Sequence, residues 1–372
     1  MNKEKIISRI ATVVGMVGLV TLVVKVLTMG VLPAFYLILM IVGSIVVAVG
    51  LMLLAFLPKS RLWMRILAGV MAMVIGAGSL FAFVKLNGAT SFVAENFGTV
   101  EAGEPVKEVA RESFIMYISG IDERDGSLPE KSRSDLNILA VVNPAKRAVM
   151  LVNIPRDYYV EMAGMGQMDK LTHAGDIGGL ALSMSTIEQL LDVKINYATR
   201  VNFNLLEGLV DAVGGVTIDS EVGRNFSLYW EKDCVIHDGA NELDGRCAVA
   251  YARERLALGG DLRRAENQEK VIMAVFEKIA KDKSLLLNYE GILASLDGNF
   301  ETSFTGKDVT EMVKYIAENG GSWSFVENNL EVSGAGEEYG VMFPDEKKFV
   351  YYADYDSVNR AHDRISAFLM TE

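Results

Sequence analysis

The stretch FIMYISGID, residues 114–122, joins a short apolar run, Phe114–Ile118, to a Gly-Ile-Asp ending. Apolar runs of this length, bounded by turn residues, are typical of buried strands. Two further runs of the same kind, Leu136–Val142 and Ala148–Ile154, follow along the chain. We therefore expect three neighbouring strands in the core of a folded domain.

Helical patterns alternate with strand-like runs through the rest of the chain. A fourth strand is predicted at Tyr197–Phe203, and helices are predicted at Leu180–Leu191, Leu205–Val213, Asp244–Tyr251, Arg264–Lys281, Leu285–Leu296, Lys307–Glu318 and Ser357–Met370. A mixture of this kind predicts the α/β class, here an α-β-α domain with a central mixed sheet.

Three long apolar runs precede that domain, at Ile6–Val31, Ala34–Leu57 and Ile66–Val84. Each is close to or above the roughly 18–20 residues that a membrane-spanning helix needs. We expect three transmembrane helices within residues 1–86, a linker over residues 87–112, a catalytic core over residues 113–283, and a C-terminal completion of the same domain over residues 284–372.

Basic residues predict the orientation of these spans. Lys3 and Lys5 precede the first span and Arg9 lies at its start, Lys59, Arg61 and Arg65 separate the second from the third, and the loop Gly30–Pro33 is uncharged. Cytoplasmic loops carry the excess of Lys and Arg. The amino terminus is therefore expected in the cytoplasm and the large domain outside the cell, in a multi-pass membrane protein. Lys25 is expected to extend to the outer interface.

Charge and cysteine content narrow the classes of partner. The first 85 residues carry a net charge of +7 within a chain of −12, which leaves −19 for the large domain. Such a domain has no general attraction to nucleic acid. Cys234 and Cys247 either form a disulfide or remain buried thiols, and no Cys/His spacing predicts a zinc site.

Arginines are concentrated in one segment of this acidic domain. Arg253 and Arg255 alternate in Tyr251–Arg255, and Asp261, Arg264 and Gln268 follow. Guanidinium groups bind phosphate oxygens in a planar, bidentate manner. An extended Arg-x-Arg would place both guanidinium groups on one face, and Arg264 and Gln268 would share one side of a helix. The segment therefore predicts a pyrophosphate pocket.

Acidic and basic residues also mark the ends of the first three predicted strands. Asp122 closes the first, Arg133 and Asp135 open the second, and Arg156 and Asp157 follow the third. Sites in α/β folds form at strand ends. Asp122 and Asp135 could hold Mg²⁺, or Mn²⁺, through carboxylate oxygens. Taken singly, each acid is also a common turn or capping residue.

The order and spacing of these motifs resemble the LytR–CpsA–Psr family over roughly residues 113–281. The resemblance rests on Gly120–Asp122, Arg133–Asp135, Pro155–Asp157, Lys170–Ala174, Val213–Ile218, Leu243–Gly245, Tyr251–Arg255, Asp261 with Arg264, and Gln268. It implies a membrane-anchored transferase. Such enzymes move a phospho-glycopolymer, such as teichoic acid or capsule, from an undecaprenyl-pyrophosphate carrier to peptidoglycan with Mg²⁺.

The resemblance also implies roles for individual residues. Arg133, Arg156, Arg253, Arg255, Arg264 and Gln268 would contact the phosphates, Asp122 and Asp135 would bind the metal, and Asp261 would orient the arginines. Asp122, Asp135, Arg156 and Arg255 would take part in catalysis. Arg263 and Asn267 depart from the pattern, since the family usually has Gly and Arg there; Arg263 either compensates or points to solvent.

Two other functions remain compatible with the same residues. One is a membrane-tethered protein that binds or senses a polyprenyl phosphate without turnover. The other is a pyrophosphate hydrolase that releases the glycan to water. A phosphate clamp serves all three, although carboxylates beside the arginines favour an enzyme over a binder. His173, alone near a Gly-rich turn, favours a structural role over that of a general base.

Overall fold

A computed structural model describes residues 3–57, 60–122, 127–221, 225–255, 261–282, 285, 289–319 and 322–370. The chain divides into two compact units. One comprises Met1–Glu95 with Gly306–Gly321, and the other comprises Asn96–Thr305 with Ser322–Glu372.

The first unit contains three helices long and apolar enough to cross a membrane: α1 (Lys3–Met29), α2 (Ala34–Phe56) and α3 (Leu62–Asn96). They confirm the three spans predicted from the sequence. Helix α3 continues past Lys85 into residues predicted as a linker, because no proline interrupts the chain before Asn96.

Small residues allow α1 and α3 to approach closely. A side chain at Gly15 would overlap the backbone of Ala72, and one at Gly76 would overlap Gly15. Close approach through small residues is the common means of packing helices in membranes. Lys25 donates to Asn87 Oδ1 at 3.0 Å and to Thr90 Oγ1 at 2.8 Å. The ammonium group of Lys25 therefore binds polar groups of α3, and its place at the outer interface stays a prediction.

The second unit carries the sheets and most of the remaining helices. Its strands are β1 (Phe114–Ile121), β2 (Leu136–Asn143), β3 (Ala148–Asn153), β4 (Tyr159–Met162), β5 (Gln167–Lys170), β6 (Tyr197–Asn202), β7 (Val216–Ser220), β8 (Phe226–Ser227), β9 (Val235–Ile236), β10 (Gly239–Leu243), β11 (Phe300–Thr302), β12 (Ser324–Asn329), β13 (Val332–Glu338) and β14 (Lys348–Ala353). Its helices are α4 (Leu171–Leu191), α5 (Phe203–Ala212), α6 (Gly245–Ala252), α7 (Asp261–Lys281), α8 (Tyr289–Leu296) and α10 (Tyr355–Leu369), whereas α9 (Gly306–Asn319) belongs to the first unit.

Six strands form the central sheet in the order β11-β6-β1-β2-β3-β12. Strand β1 is antiparallel to β2 and parallel to β6, and β3 is antiparallel to β2 and parallel to β12. The sheet is therefore mixed, as predicted. The two edge strands, β11 and β12, both come from the segment after Lys281.

Both faces of the central sheet are covered by helices. Tyr117, Leu139 and Val141 on one face share a buried cluster with Ile187 of α4 and Ile365 of α10. Ile138 and Ala140 on the other face pack with Met273 of α7. Full burial of an aliphatic side chain stabilises a fold by roughly 1.5–3 kcal/mol, so these clusters hold the three layers together. The α-β-α prediction is confirmed.

Helix α4 differs from the predicted helix in its start and in its shape. It begins at Leu171 instead of Leu180, and it bends at Gly178 and Gly179, whose backbone angles are not helical. Gly179 has φ +64°, where a side chain is strained, and a side chain there would also approach the carbonyl of Glu130. The glycines therefore bend the helix at the point where the sequence indicated a turn.

Cys234 and Cys247 form a disulfide. Cys234 directly precedes β9, and Cys247 lies in the first turn of α6. The bond therefore fixes the β8–β9 hairpin to the helix that ends at Arg253. Of the two alternatives that the sequence left open, a disulfide and two buried thiols, the structure has the disulfide.

Candidate active site

The register of the sheet brings the predicted site residues of β1, β2 and β3 together at one end of these strands. Gly120 pairs with Leu136 and Ile138 pairs with Asn153. Because β1, β2 and β3 alternate in direction, the end of β1, the start of β2 and the end of β3 lie side by side. The backbone N–H of Asp135 also donates to Gly120 O at 2.8 Å, and this bond holds the start of β2 against the end of β1.

A buried network of hydroxyl groups connects β1 to the start of β2, next to these strand ends. Tyr117 Oη donates to Asn137 Oδ1 at 2.6 Å and lies 3.1 Å from Ser134 Oγ, which also lies 2.9 Å from Ser119 Oγ. Burial raises the pKa of Tyr117 although the serine hydroxyls oppose the shift. Sequence patterns did not predict this network, because its members are ordinary strand and turn residues.

Asp135 is the centre of a charged cluster. Its carboxylate forms an ion pair with Arg156 Nη1 and lies 3.8 Å from Arg264 Nη2. The Arg264 side chain is only 4% exposed and that of Asp135 only 14%. Asp157 lies behind Arg156, where it binds Arg156 Nε at 3.3 Å and Lys170 Nζ at 3.0 Å. The cluster therefore holds two arginines in place before any ligand arrives.

Arg253 forms a second ion pair, with Asp122 at the end of β1. Its guanidinium carbon lies 5.3 Å from the centre of the Phe203 ring and 5.0 Å from that of Trp230. Aromatic faces attract guanidinium groups, so both rings restrain this side chain. Arg253 is the C-cap of α6, with φ −96° and ψ −3°. The Arg-x-Arg segment is therefore not extended at Arg253, contrary to the premise drawn from the sequence.

Gln268 lies on α7, one turn beyond Arg264, and is 2% exposed. Neither its Oε1 nor its Nε2 has a hydrogen-bond partner among the described residues. A buried amide without partners costs free energy comparable to lost hydrogen bonds. Both polar atoms of the Gln268 amide are therefore free of hydrogen bonds to the described residues.

An apolar cavity of about 380 Å³ lies beside these polar groups. Strands β1 and β6 and helices α5 and α7 supply most of its wall, including Ile118, Val201, Leu205, Leu209, Ile272 and Phe276. Asp135 and Gln268 also line it. A pocket lined by apolar side chains with a few convergent polar groups is the usual form of a ligand site. This one suits a ligand with an apolar tail and a charged head.

Comparison with known proteins identifies the family. The profile of the LytR_cpsA_psr family matches residues 82–345. The chain belongs to the LytR–CpsA–Psr family. Relatives of this LytR–CpsA–Psr protein include two polyisoprenyl-teichoic acid–peptidoglycan teichoic acid transferases. TagT of Bacillus subtilis is 33% identical over 269 residues, covering 69% of this chain and 83% of TagT. TagU of Enterococcus faecalis is 35% identical over 208 residues, covering 54% and 65%.

Solved structures give the same fold. The structure of TagT bound to LIIa-WTA has a TM-score of 0.56 and 25% sequence identity, and it covers 71% of this chain and 93% of that chain. The structure of TagT bound to LI-WTA also has a TM-score of 0.56 and 25% identity, covering 72% and 97%. The family resemblance inferred from the motifs is thus confirmed.

Two residues depart from the LytR–CpsA–Psr pattern. Arg263 is exposed and pairs with Glu266 at 3.0 Å, so it lies at the surface. Asn267, in contrast, is buried and lies with Nδ2 3.4 Å from Tyr251 O. Asn267 therefore contacts the backbone of α6, and the structure favours the solvent-facing alternative for Arg263.

Three predicted site residues lie outside the buried clusters or outside what the structure describes. Arg133 is 53% exposed and pairs with Asp176 of α4 at 3.0 Å. Arg255 is exposed, two residues beyond the end-cap of α6. The side chain of Asp261, predicted to orient the arginines, lies outside the described residues, although α7 begins there.

His173 has a structural position. Its Nδ1 lies 2.7 Å from Asp169 Oδ1, and Asp169 Oδ2 accepts from Met342 N at 2.8 Å. Burial alone would raise the pKa of Asp169, but hydrogen bonds from His173, Met342 and Lys170 lower it overall. The pair fixes the segment around Met342 against α4, in agreement with the interpretation made from the sequence.

A divalent metal fits this site only in combination with a ligand. Among the described residues, no group of three or more His, Cys, Asp or Glu side chains could hold a metal. Asp122 and Asp135 are two carboxylates near arginines that compete for their oxygens. Mg²⁺ is commonly held by one or two carboxylates with substrate phosphates and waters. The donor set is compatible with that arrangement.

Glu269 is a buried acid next to the site on α7. It is 1% exposed, and burial with the nearby charge of Glu327 raises its pKa to about 8, against the effect of hydrogen bonds from Asn329 and Asn153. Asn153 ends β3 and lines the small polar pocket that also contains Asp135 and Arg264. Sequence reasoning missed Glu269, because a glutamate in an amphipathic helix ordinarily faces solvent.

Proposed function

We propose that this protein transfers a phospho-glycopolymer from an undecaprenyl-pyrophosphate carrier to peptidoglycan. The observation that carries the proposal is the contact between an apolar cavity and a buried Arg–Asp cluster, through Asp135 and Gln268. A polyprenyl pyrophosphate has the matching chemistry, an apolar tail and a doubly charged head. The teichoic acid named for the relatives TagT and TagU favours an anionic wall polymer of that class over capsule.

In the proposed reaction, a sugar hydroxyl of peptidoglycan attacks the phosphorus atom that bears the glycan. A new P–O bond forms while the bond from that phosphorus to the bridging oxygen breaks, so polyprenyl monophosphate leaves with the electron pair. The hydroxyl proton passes to a carboxylate oxygen of Asp122 or Asp135 that does not bind the metal. Arg156, Arg253 and Arg264 stabilise the charge that grows on the leaving oxygen.

Other predicted residues complete the proposed clamp. Gln268 would donate to a phosphate oxygen through Nε2. Arg133 and Arg255, which lie nearer the surface, would contact the outer phosphate or the polymer. Asp122 and Asp135 would hold Mg²⁺ or Mn²⁺, which when bound neutralises phosphate charge.

We also propose that the second unit lies outside the cell and that the amino terminus is cytoplasmic. The Lys and Arg residues at the start of α1 and around the α2–α3 junction support this orientation. Protease added to intact cells is expected to digest residues after Asn96. Full protection until the cells are lysed would reverse the topology.

The test of activity uses the full chain in lipid nanodiscs with a polyprenyl-pyrophosphate glycan, a peptidoglycan fragment and Mg²⁺. The expected products are polyprenyl monophosphate and a glycan–peptidoglycan conjugate in equal amounts. Free phospho-glycan without conjugate would instead support a hydrolase. Bound but unchanged carrier would support a binding or regulatory protein.

A further inference from the structure

Two aromatic side chains are exposed at the tip of the β8–β9 hairpin. Tyr229 is 51% exposed and Trp230 is 55% exposed, and their rings pack edge to face at 5.2 Å. Leu228, immediately before them, is fully buried. Exposed apolar groups that cluster on a surface often mark a binding site.

The hairpin tip is held rigidly at several points. The disulfide fixes Cys234 to α6, and Leu228 N donates to Cys234 O at 2.9 Å. Tyr229 N donates to Glu254 Oε2 at 2.7 Å, and Glu254 is 1% exposed. Glu231 also pairs with Arg246 of α6 at 2.8 Å. The two aromatic rings are therefore displayed on an ordered support, which limits the entropy lost on binding a ligand.

The same tip lies next to the proposed phosphate clamp, which comprises Arg156, Arg253, Arg264 and Gln268. The Trp230 ring lies 5.0 Å from the guanidinium carbon of Arg253, which binds Asp122. A phosphate held at Arg253 would bring the first sugar unit attached to it alongside this tip. Glu254 lies between Arg253 and Arg255 in the sequence, so its hydrogen bond to Tyr229 N connects the hairpin directly to the Arg-x-Arg segment.

We propose that Tyr229 and Trp230 form a platform for a pyranose ring, namely the first sugar of the carrier-linked glycan. This proposal rests on the proposed transferase function. The C–H face of a pyranose is apolar and flat, as an aromatic ring requires, while the Tyr229 hydroxyl offers a polar contact at the rim. The charges at the tip are mixed, since Lys232 Nζ lies 4.9 Å from the centre of the Tyr229 ring and Glu231 is paired with Arg246, so the position beside Arg253 is what favours a sugar attached to the phosphate.

Binding of two short-chain probes to the full chain in nanodiscs tests the platform. One probe is a polyprenyl pyrophosphate that bears a single N-acetylhexosamine, and the other lacks the sugar. We expect the wild-type protein to bind the sugar-bearing probe more tightly, and Trp230→Ala to lose about tenfold more affinity for that probe than for the sugar-free probe. Tyr355→Ala, which truncates a 59% exposed aromatic on α10, serves as the matched control and should change neither affinity.

Tyr229→Ala separates the platform from the clamp, because the Tyr229 ring is not among the rings stacked on Arg253. It too should weaken only the sugar-bearing probe. Equal losses for both probes in both variants would show that the aromatics merely support Arg253 or contact the membrane, and unchanged affinities would likewise overturn the platform. A defect confined to the KM for peptidoglycan would assign the rings to the acceptor instead. Failure of the wild-type protein to bind the sugar-free probe would overturn the proposed function itself.

Discussion

Arg253 Nη2 donates to both carboxylate oxygens of Asp122, at 2.9 and 3.1 Å, across 131 positions of sequence. The contact joins the end of α6 to the end of β1. It leaves the Arg253 side chain 28% exposed, so the guanidinium group is oriented by Asp122 and by two rings while still accessible to a ligand.

Replacing Arg253 is expected to slow transfer strongly without unfolding the protein. Loss of a charge-assisted contact to a transition-state phosphate costs about 3 kcal/mol, or roughly a hundredfold in rate. The initial rate of polyprenyl monophosphate release by Arg253→Ala, compared with wild type, measures the effect. Arg263→Ala is the matched control, since Arg263 lies on the same helix as Arg264, is exposed and pairs with Glu266 at 3.0 Å. A folded Arg253→Ala protein with a normal rate would remove Arg253 from the site.

Gln268→Leu should separate stability from binding. The buried amide of Gln268 has no partner among the described residues, so an apolar side chain of similar size relieves a desolvation cost of about 1–3 kcal/mol. We expect the variant to be at least as stable as wild type in thermal unfolding, yet to bind a polyprenyl pyrophosphate more weakly. A variant that is destabilised and binds normally would mean that Gln268 serves the fold alone.

Glu269 should make stability depend on pH. Its pKa in the folded protein is about 8, well above that of an unfolded glutamate, so between these values the folded state retains a proton that the unfolded state has released. Folding stability should therefore fall as pH rises through this window, by at most about 1.4 kcal/mol per pH unit, and level off above pH 8.

The variant Glu269→Gln removes that titration. Its stability relative to wild type, measured by denaturant unfolding of the full chain, should increase from pH 5 to pH 8. A difference that stays constant across this range would contradict a buried, protonated Glu269.

Chelation is expected to stop transfer while leaving carrier binding measurable. Metal would contribute through Asp122 and Asp135, whereas the arginines hold the pyrophosphate without it. Added Mg²⁺ or Mn²⁺ should restore the rate, and Asp135→Asn should be more damaging than Asp157→Asn, because Asp157 contacts Arg156 and Lys170 from behind. Transfer at an unchanged rate in excess chelator would exclude the metal.

Removal of the disulfide should weaken the second unit. A bond that closes a loop of 13 positions stabilises a fold by about 3 kcal/mol in the chain-entropy account. The double substitution Cys234→Ser with Cys247→Ser, followed by thermal unfolding, measures this effect. Reduced wild-type protein and untreated wild-type protein provide the comparison. Equal melting temperatures for these two samples and the double variant would show that the disulfide does not stabilise the second unit.

The elements that the sequence predicted best are those whose signal is local. Strands β1, β2 and β3 appear as continuous apolar runs because both of their faces are buried. The three membrane helices are recognisable from length and composition alone. The short hairpins β4–β5 and β8–β9 were missed, since strands of two to four residues have no periodicity to detect.

The site was predictable as a set of residues but not as a geometry. The convergence of Asp122, Asp135 and Arg156 follows from the antiparallel register, which motif spacing does not reveal. The stacking of Trp230 on Arg253 and the burial of Glu269 are tertiary contacts between distant segments. The phosphate roles of Arg133 and Arg255 and the metal roles of the two aspartates stay predictions.

Helix α7 carries Arg264, Gln268, Ile272 and Phe276 at intervals of four residues. One helix therefore contributes polar side chains to the charged cluster and apolar side chains to the wall of the cavity. Four residues of helix advance by about 6 Å, so in the proposed complex the contacts of this row with the head group and with the tail would have a fixed spacing. Inserting one residue before Arg264 would turn the whole row by about 100° at once. If the proposed substrate binds here, its head group and tail would be recognised at a distance that this helix cannot change by small steps, and substrates of altered proportions would have to be accommodated by the walls opposite it.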